Sequence, residues 1–455
     1  MMDLYGVLFQ RLLYPGWETG LRRRPTLSHF RELERSQWCS LDELHAIQER
    51  SLRSLLTHAF TNVPYAREKY AAAGLGLGDI RRLEDLRKLP LLTRKEAGDH
   101  LPERKSIAPP FPAIDKSTSG TTGRPLSFAY DLGSEYWRQA TKLRGYSWAG
   151  YQPGDRSLHF WGSPMLRPPP LPQKLKASID HSFRREYYMD CTERSDEALA
   201  RVVDKIRRVR PRVLVCYAQA AAHLARYVNR SGCRSWQDIP VICAAERLYP
   251  ADREALVEAF GQVFETYGNR EVMLIGAECE AHEGMHTSME NLIVELIVRE
   301  DGRERPAAPG EVGEVVLTDL HNYGAPFVRY VTGDLAVERP HGRCACGRWL
   351  KRLEGVEGRS TDTLRDGEGR PVSGMFFNVM FAYLSDQVRE FQIVQRRDRA
   401  IDLKLVPAAS WDDSLLDAMK LHAAKYLPGV ELRPELVTAL PPDRSGKLRV
   451  VVVEN

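Results

Sequence analysis

The chain has 455 residues, 43% hydrophobic and 28% charged, with 65 basic and 61 acidic side chains giving a formal net charge of +4. That length predicts two or three domains with sizeable cores, and the small, evenly spread charge excludes both a dedicated nucleic-acid binder and a disordered chain. No stretch approaches the roughly 18 consecutive apolar residues of a spanning helix, and the eight cysteines are too unevenly spaced for a disulfide scaffold.

The opening segment MMDLYGVLFQRLLYPGW lacks the basic start and small-residue cleavage site of an export signal, so a cytoplasmic protein is expected. Its apolar residues read as a helix packed against the body, in preference to an amphipathic helix on a membrane surface. The cluster Arg22, Arg23, Arg24 reads as a solvated charged face. From Ser40 to about Tyr70 the apolar residues Leu41, Leu44, Ile47, Leu52, Leu55 and Leu56 recur at helical spacing. The proline-bearing stretches Ile107 to Pro112 and Pro164 to Pro172 are expected loops. Cys39, Cys191, Cys216 and Cys233 stand alone and read as small buried apolar residues.

Short β-rich runs then alternate with helical ones: Val213 to Tyr217, Val241 to Ala245, Val263 to Tyr267, Leu292 to Val298 and Gly313 to Leu317. The segment AERLYPADREALVEAF reads as a helix, and the turn YGNRE places Glu271 at a strand end, where α/β folds put their chemistry. After Gly358 the pattern changes. EFQIVQ and AIDLKLV read as strands about an RRDR turn, followed by a helix carrying Leu416, Met419, Ala423 and Tyr426 on one face and capped by Asp412 or Asp413. Strands Val430 to Val437 and Leu448 to Val453 flank a polar loop. The expected fold class is α/β: a large N-terminal domain with mixed sheets, residues 1–358, and a small α+β C-terminal lobe, residues 359–455.

The run Ser117 to Pro125 (STSGTTGRP) holds four hydroxyls and two glycines. Glycines let consecutive backbone N–H groups converge on an anion, hydroxyls donate further bonds, and Arg124 adds charge, so the segment suits a polyphosphate. Its spacing is not that of a GxxxxGK[ST] loop. Downstream, in fixed order, come Ala245-Glu246, Tyr267-Gly268-Asn269-Arg270-Glu271, Tyr330-Val331-Thr332-Gly333-Asp334, Gly358-Arg359-Ser360-Thr361-Asp362 and Ser445-Gly446-Lys447-Leu448-Arg449. From about residue 30 onward this series resembles the adenylate-forming enzymes, in particular the phenylacetate-CoA ligase branch and its capsule-biosynthesis relatives.

The resemblance implies that Ser119, Gly120, Thr121, Thr122 and Gly123 grip the ATP phosphates, and that Ala245, Glu246, Tyr267, Gly268, Asn269 and Arg270 frame the adenine. It implies Mg²⁺ on Glu271, a hard oxygen ligand, ribose hydroxyls on Asp334 with Arg359 beside it, and a catalytic Lys447 on a mobile loop, neutralising charge around the α-phosphorus. It also makes Asp362 the hinge about which the C-terminal lobe rotates between steps. Arg270 stands where serine or threonine is common, and Ala244 where glycine often opens the Ala-Glu segment.

Cys279, His282, His286 and the later Cys344-Ala345-Cys346 supply thiolates and imidazoles in numbers that suit tetrahedral Zn²⁺. The resemblance favours Cys279, His286, Cys344 and Cys346 as a closed structural set, with His282 as a substitute. Free thiols around a turn are the alternative. Trp137, Trp148, Tyr151, His159, Phe160 and Trp161 lie where relatives line the acyl pocket, and equally suit a core. The implied activity joins a carboxylic acid, with aromatic acids among the candidates, to AMP and then to CoA. The alternatives are transfer to an amine, a hydroxyl or a carrier-protein thiol, and a non-catalytic zinc-bearing binding protein of the same fold. The implied cofactors are ATP, Mg²⁺, CoA and Zn²⁺, with no nucleic acid, no membrane span, and a monomer or homodimer.

Overall fold

A computed structural model describes residues 4–117, 126–161, 171–191, 195–300, 303–340, 342–359, 363–369, 371–373, 377, 387–408, 410–440 and 451–454. Ser119 to Gly123, the hinge Asp362 and Lys447 lie outside the described residues, as does the side chain of Arg359.

A hairpin of β1 (Ala113–Ser117) and β2 (Ser127–Asp131) stands apart from the main sheet. Five strands build a parallel half: β3 (Ser157–Trp161), β4 (Glu186–Asp190), β5 (Val213–Tyr217), β6 (Val241–Ala244) and β7 (Val263–Asn269). An antiparallel half adds β8 (Met273–Glu278), β9 (Met285–Thr287), β10 (Leu292–Glu300) and β11 (Arg303–Pro306). It is completed by β12 (Val312–Asp319), β13 (Tyr330–Glu338) and β14 (Arg352–Arg359). Among the described residues these form one twelve-stranded sheet in the order β11-β10-β12-β13-β14-β9-β8-β7-β6-β5-β3-β4. The seam is β7, which pairs in parallel with β6 and antiparallel with β8.

In the parallel half, helices Asp196–Val209, Ala218–Ser231 and Pro250–Phe260 pack on one face around Leu199, Val203, Leu224 and Leu256. The opposite face carries helices Thr26–Ser36 and Leu132–Ser147, through Phe30, Leu33, Ala140 and Leu143. This coverage explains why β5, VLVCY, is buried at every position: a parallel strand covered on both faces reads as a continuous apolar run. The N-terminal segment packs Phe9 and Tyr14 inward beside Leu27.

A second unit comprises β15 (Thr363–Arg365) paired with β16 (Pro371–Ser373), and a four-stranded sheet of β17 (Val388–Gln395), β18 (Ile401–Pro407), β19 (Leu432–Leu436) and β20 (Val451–Val453), ordered β19-β18-β17-β20. Its helix Leu415–Tyr426 lays Met419 and Ala423 on Ile393, Ile401, Leu403 and Leu405. It touches the larger unit through an ion pair of His223 Nε2 with Glu390 Oε1 at 2.6 Å and a ring contact between Tyr249 and Phe391.

Several sequence-based expectations are corrected. The helix from Ser40 to Tyr70 is two helices, Leu41–Asn62 and Pro64–Ala72, because Pro64 lacks an N–H and holds Val63 extended. The helix proposed for AERLYPADREALVEAF is confined to Pro250–Phe260. Ala245 ahead of it is left-handed at φ 67°, and proline at the first helical position starts the helix. Further strands form beyond those expected: β1, β2, β3, β4, β8, β9, β11, β13, β14, β15 and β16. Cys191 and Cys216 are buried as read, whereas Cys39 and Cys233 are half-exposed.

Candidate active site and cysteine–histidine cluster

The C-terminal ends of the parallel strands face one side, the general position of ligand sites in open α/β sheets. There, β6 passes into left-handed Ala245, a turn that aims the Glu246 carboxylate at the first turn of helix Ala218–Ser231, where it accepts the Gln219 N–H at 3.0 Å. Anions suit such a helix start. At the end of β7 the register shifts between Tyr267 and Gly268. A β-carbon on Gly268 would lie 2.0 Å from the Met273 carbonyl oxygen, so only glycine permits this close strand crossing. Asn269 Oδ1 accepts the Val272 N–H at 2.9 Å and closes the turn that carries Arg270 and Glu271.

Glu271 is buried, and its Oε1 is held by the Arg94 guanidinium at 2.7 Å and the Tyr330 hydroxyl at 3.1 Å. Burial, and then the carboxylate, push the Tyr330 phenol well above its ordinary range. Arg94 reaches this position because Leu92 bridges to β13, its N–H donating to the Arg329 carbonyl and its own carbonyl accepting from Val331. A capping box between Thr93 and Glu96 then starts the short helix Arg94–Asp99. Sequence reasoning assigned no role to Arg94 or Tyr330. The Thr-x-x-Glu signature marks the helix start, but nothing in the sequence links Arg94 to a carboxylate 177 residues away.

The second carboxylate, Asp334, accepts the Tyr267 hydroxyl at 2.7 Å. Its own N–H donates to Thr332 Oγ1 at 3.0 Å, and Gly333 turns the chain at φ 81°. Burial and the neighbouring Asp334 drive the Tyr267 phenol far up, so it donates at all physiological pH. In the β13–β14 register Asp334 lies directly opposite Arg359. Tyr267, Glu271, Asp334 and the Arg359 backbone are therefore gathered at one place by the β7 seam and by β13. Arg270 is exposed beside Glu271 and acts electrostatically on Tyr130.

The aromatic residues divide. Trp148, Tyr151 and Phe160 are buried in the packing cores. Trp137 is sandwiched between the imidazoles of His29 and His321 at 4.2 and 3.9 Å, and His159 stacks on Tyr188. Trp161 alone of the six reaches a strand end, packing on Tyr217 at 4.3 Å.

Cys279, His286, Cys344 and Cys346 form a separate cluster, their ligand atoms all within 4.8 Å of one another. The β8–β9 hairpin supplies the first two, and the loop before β14 supplies the others, joined where Arg352 pairs with His286 across β14 and β9. His286 Nδ1 faces the Leu350 carbonyl at 3.2 Å, which leaves Nε2 directed at Cys346 Sγ, 3.4 Å away. Cys279 and Cys344 sulfurs lie 3.8 Å apart. Burial opposes ionisation of Cys346, yet hydrogen bonding to His286 and Arg348 outweighs it and brings that thiol down to about 6. His282 is not in the cluster. It sits at φ 52° with Nδ1 against Glu278 at 3.4 Å.

No family model matches the chain. It is 26% identical over 443 residues to a phenylacetate-coenzyme A ligase of Thermus thermophilus, covering 90% of this chain and 96% of that one. It is 29% identical over 345 residues to a phenylacetate-coenzyme A ligase of Escherichia coli, covering 73% of this chain and 75% of that one. The chain is thus similar to phenylacetate-CoA ligases over most of its length. The ligase-like fold extends over both units: a crystal structure of 2-hydroxyisobutyryl-CoA ligase in the postadenylation state matches with a TM-score of 0.72 at 20% identity, covering 92% of each chain. The same ligase in the thioesterification state matches with a TM-score of 0.57, again over 92% of each chain.

Proposed function

We propose that this chain activates a carboxylic acid with ATP as an acyl-adenylate and then transfers the acyl group to CoA. The observation that carries the reading is the meeting of two differently held carboxylates: Glu271, in the β7–β8 turn, between Arg94 and Tyr330, and Asp334, on β13, accepting from Tyr267. The relatives' own activity as CoA ligases supports it.

In the first step a carboxylate oxygen of the acid attacks the α-phosphorus of ATP, an O–P bond forms, and the bond to pyrophosphate breaks. In the second, the CoA sulfur attacks the mixed anhydride carbonyl, its proton passes to solvent, and AMP leaves. Asp334, whose carboxylate accepts from Tyr267, is an acceptor of the kind that ribose hydroxyls need. Ala245, Glu246, Tyr267, Gly268, Asn269 and Arg270 are proposed to frame the adenine, with Arg359 near the ribose and α-phosphate. Glu271 is a fitting hard-oxygen ligand for Mg²⁺, which when bound neutralises phosphate charge. Arg94, paired with Glu271 at 2.7 Å, would hold that carboxylate in place. Ser119 to Gly123 as the phosphate clamp, Lys447 as the catalytic cation, Asp362 as the hinge and a division at residues 358 and 359 complete the proposal.

The cysteine–histidine cluster fits zinc. With Zn–S near 2.3 Å and Zn–N near 2.0 Å, tetrahedral geometry spaces two sulfurs about 3.8 Å apart and sulfur from nitrogen about 3.5 Å. The distances are 3.8 and 3.4 Å. Four protein ligands leave no position for water, so the role is structural.

The deciding experiment follows pyrophosphate release over a panel of aromatic, fatty and amino acids, with CoA or hydroxylamine as acceptor. One acid should release pyrophosphate and yield a thioester with CoA. Release that is trapped by hydroxylamine and never by CoA would assign a different acceptor. Lys447→Ala should lower adenylate formation by about 10²-fold or more while thioester formation from preformed adenylate is much less affected. Equal losses in both half-reactions would refute that role.

A further inference from the structure

The amino-terminal segment packs one face and leaves another bare. Its helical turns run from Leu4 to Leu21, with wide turns in which the Arg22 N–H donates to the Trp17 carbonyl five residues back. Phe9, Tyr14 and Glu18 point inward, whereas Tyr5, Val7, Leu8, Leu12, Leu13 and Leu21 are exposed. Helix Leu171–Arg184 lies alongside and exposes Leu175, Ile179 and Phe183, spaced four residues apart and so forming a single stripe. The two segments are joined by the stacked rings of Trp17 and Phe183 at 4.0 Å and by ion pairs of Arg22 and Arg24 with Asp180. Nine of the nineteen large apolar side chains exposed among the described residues fall in these two short segments. That concentration exceeds the scattered surface apolar residues normal for a soluble protein.

Charge on the same segments is one-sided. Residues 4–24 hold four arginines and one acid, and residues 171–185 hold two lysines, two arginines and one acid. Both acids are engaged within the fold: Glu18 is buried against Arg24 at 3.1 Å and Asp180 accepts from Arg24 at 2.9 Å. Residues 5–23 and 171–184 alone carry an excess positive charge equal to the net +4 of the whole chain. Arg11 and Arg23 are exposed among the bare leucines.

We propose that the face formed by residues 5–23 and helix Leu171–Arg184 docks on an anionic lipid surface. Leucines enter the headgroup–acyl boundary while arginines remain at phosphate level, as in other interfacial helices. Nothing here spans the bilayer: no described helix is long and apolar enough to cross one. A second copy of the chain is the poorer occupant, because a self-complementary contact would set this cationic face against itself.

The test is co-sedimentation of the full chain with vesicles of phosphatidylcholine alone or with about one third phosphatidylglycerol. Binding is expected to the anionic vesicles only, to weaken as salt is raised, and to fall on the order of tenfold in Leu12→Glu/Leu175→Glu and in Arg11→Gln/Arg23→Gln. Unchanged Tm in both variants shows that they fold. Equal binding to neutral and anionic vesicles, or no binding to either, overturns the proposal. So does a concentration-dependent dimer in sedimentation velocity that the leucine variant dissolves.

Discussion

Glu265 occupies β7 two residues ahead of Tyr267, beside Glu278 of β8, with Arg253 at 2.9 Å from Glu278 and 3.7 Å from Glu265. Arg253 serves Glu278 first. Burial, and then repulsion from Glu278, raise Glu265 to about 7 from its ordinary 4.5. The native chain therefore keeps a proton that the unfolded chain releases over that interval, and stability falls as pH rises from 4.5 to 7. Glu265→Gln should flatten this part of the Tm–pH curve and gain about 1–2 kcal/mol at pH 8 relative to wild type. A parallel downward shift at every pH would show that the carboxyl instead packs favourably when ionised. None of this was legible in the sequence, which showed one glutamate in a β-rich run. The motif residues Glu271 and Asp334 were legible as acids at strand ends or turns. Arg94, and the pairing of the motif residue Tyr267 with Asp334, became visible only when distant segments met.

At the scale of elements, the four side chains of the cysteine–histidine cluster bring the β8–β9 hairpin together with the loop entering β14. Metal analysis of protein purified without chelator should find about one zinc per chain, and Cys346→Ser should bring this below half while lowering Tm. Full zinc retention in the variant would remove Cys346 from the ligand set. The choice between His282 and His286 shows what spacing can and cannot decide. Both lie in the same hairpin, but only His286 faces the β14 register partner, whereas the left-handed backbone at His282 turns that ring toward Glu278. Strands covered on both faces, such as β5, were readable from their apolar runs. Those with polar, glycine-rich sequences, such as β14 (RLEGVEGR), were not, because their pairing comes from the sheet and not from local propensity.

At the scale of the whole molecule, the small unit is held against the large one by His223–Glu390 and Tyr249–Phe391. Under the proposed function, Glu390→Ala should slow pyrophosphate release several-fold while acyl transfer from preformed adenylate is retained. Equal rates of both half-reactions in wild type and variant would show the ion pair to be incidental. The division into a larger α/β unit and a smaller α+β unit was readable from the change of pattern after Gly358. The contact between them was not, since it joins a helix of one unit to a strand of the other.

A twelve-stranded sheet has two rims, and one of them is β11. All four of its residues, Arg303, Glu304, Arg305 and Pro306, are exposed. Arg305 is further tied to Glu311 at 2.7 Å and to Glu300 at 3.1 Å. An incoming strand would have to strip water from these charges and would meet a proline with no N–H to offer. The large sheet that assembles the site therefore terminates in a rim unsuited to templating fibrils, which favours a dispersed chain at high concentration.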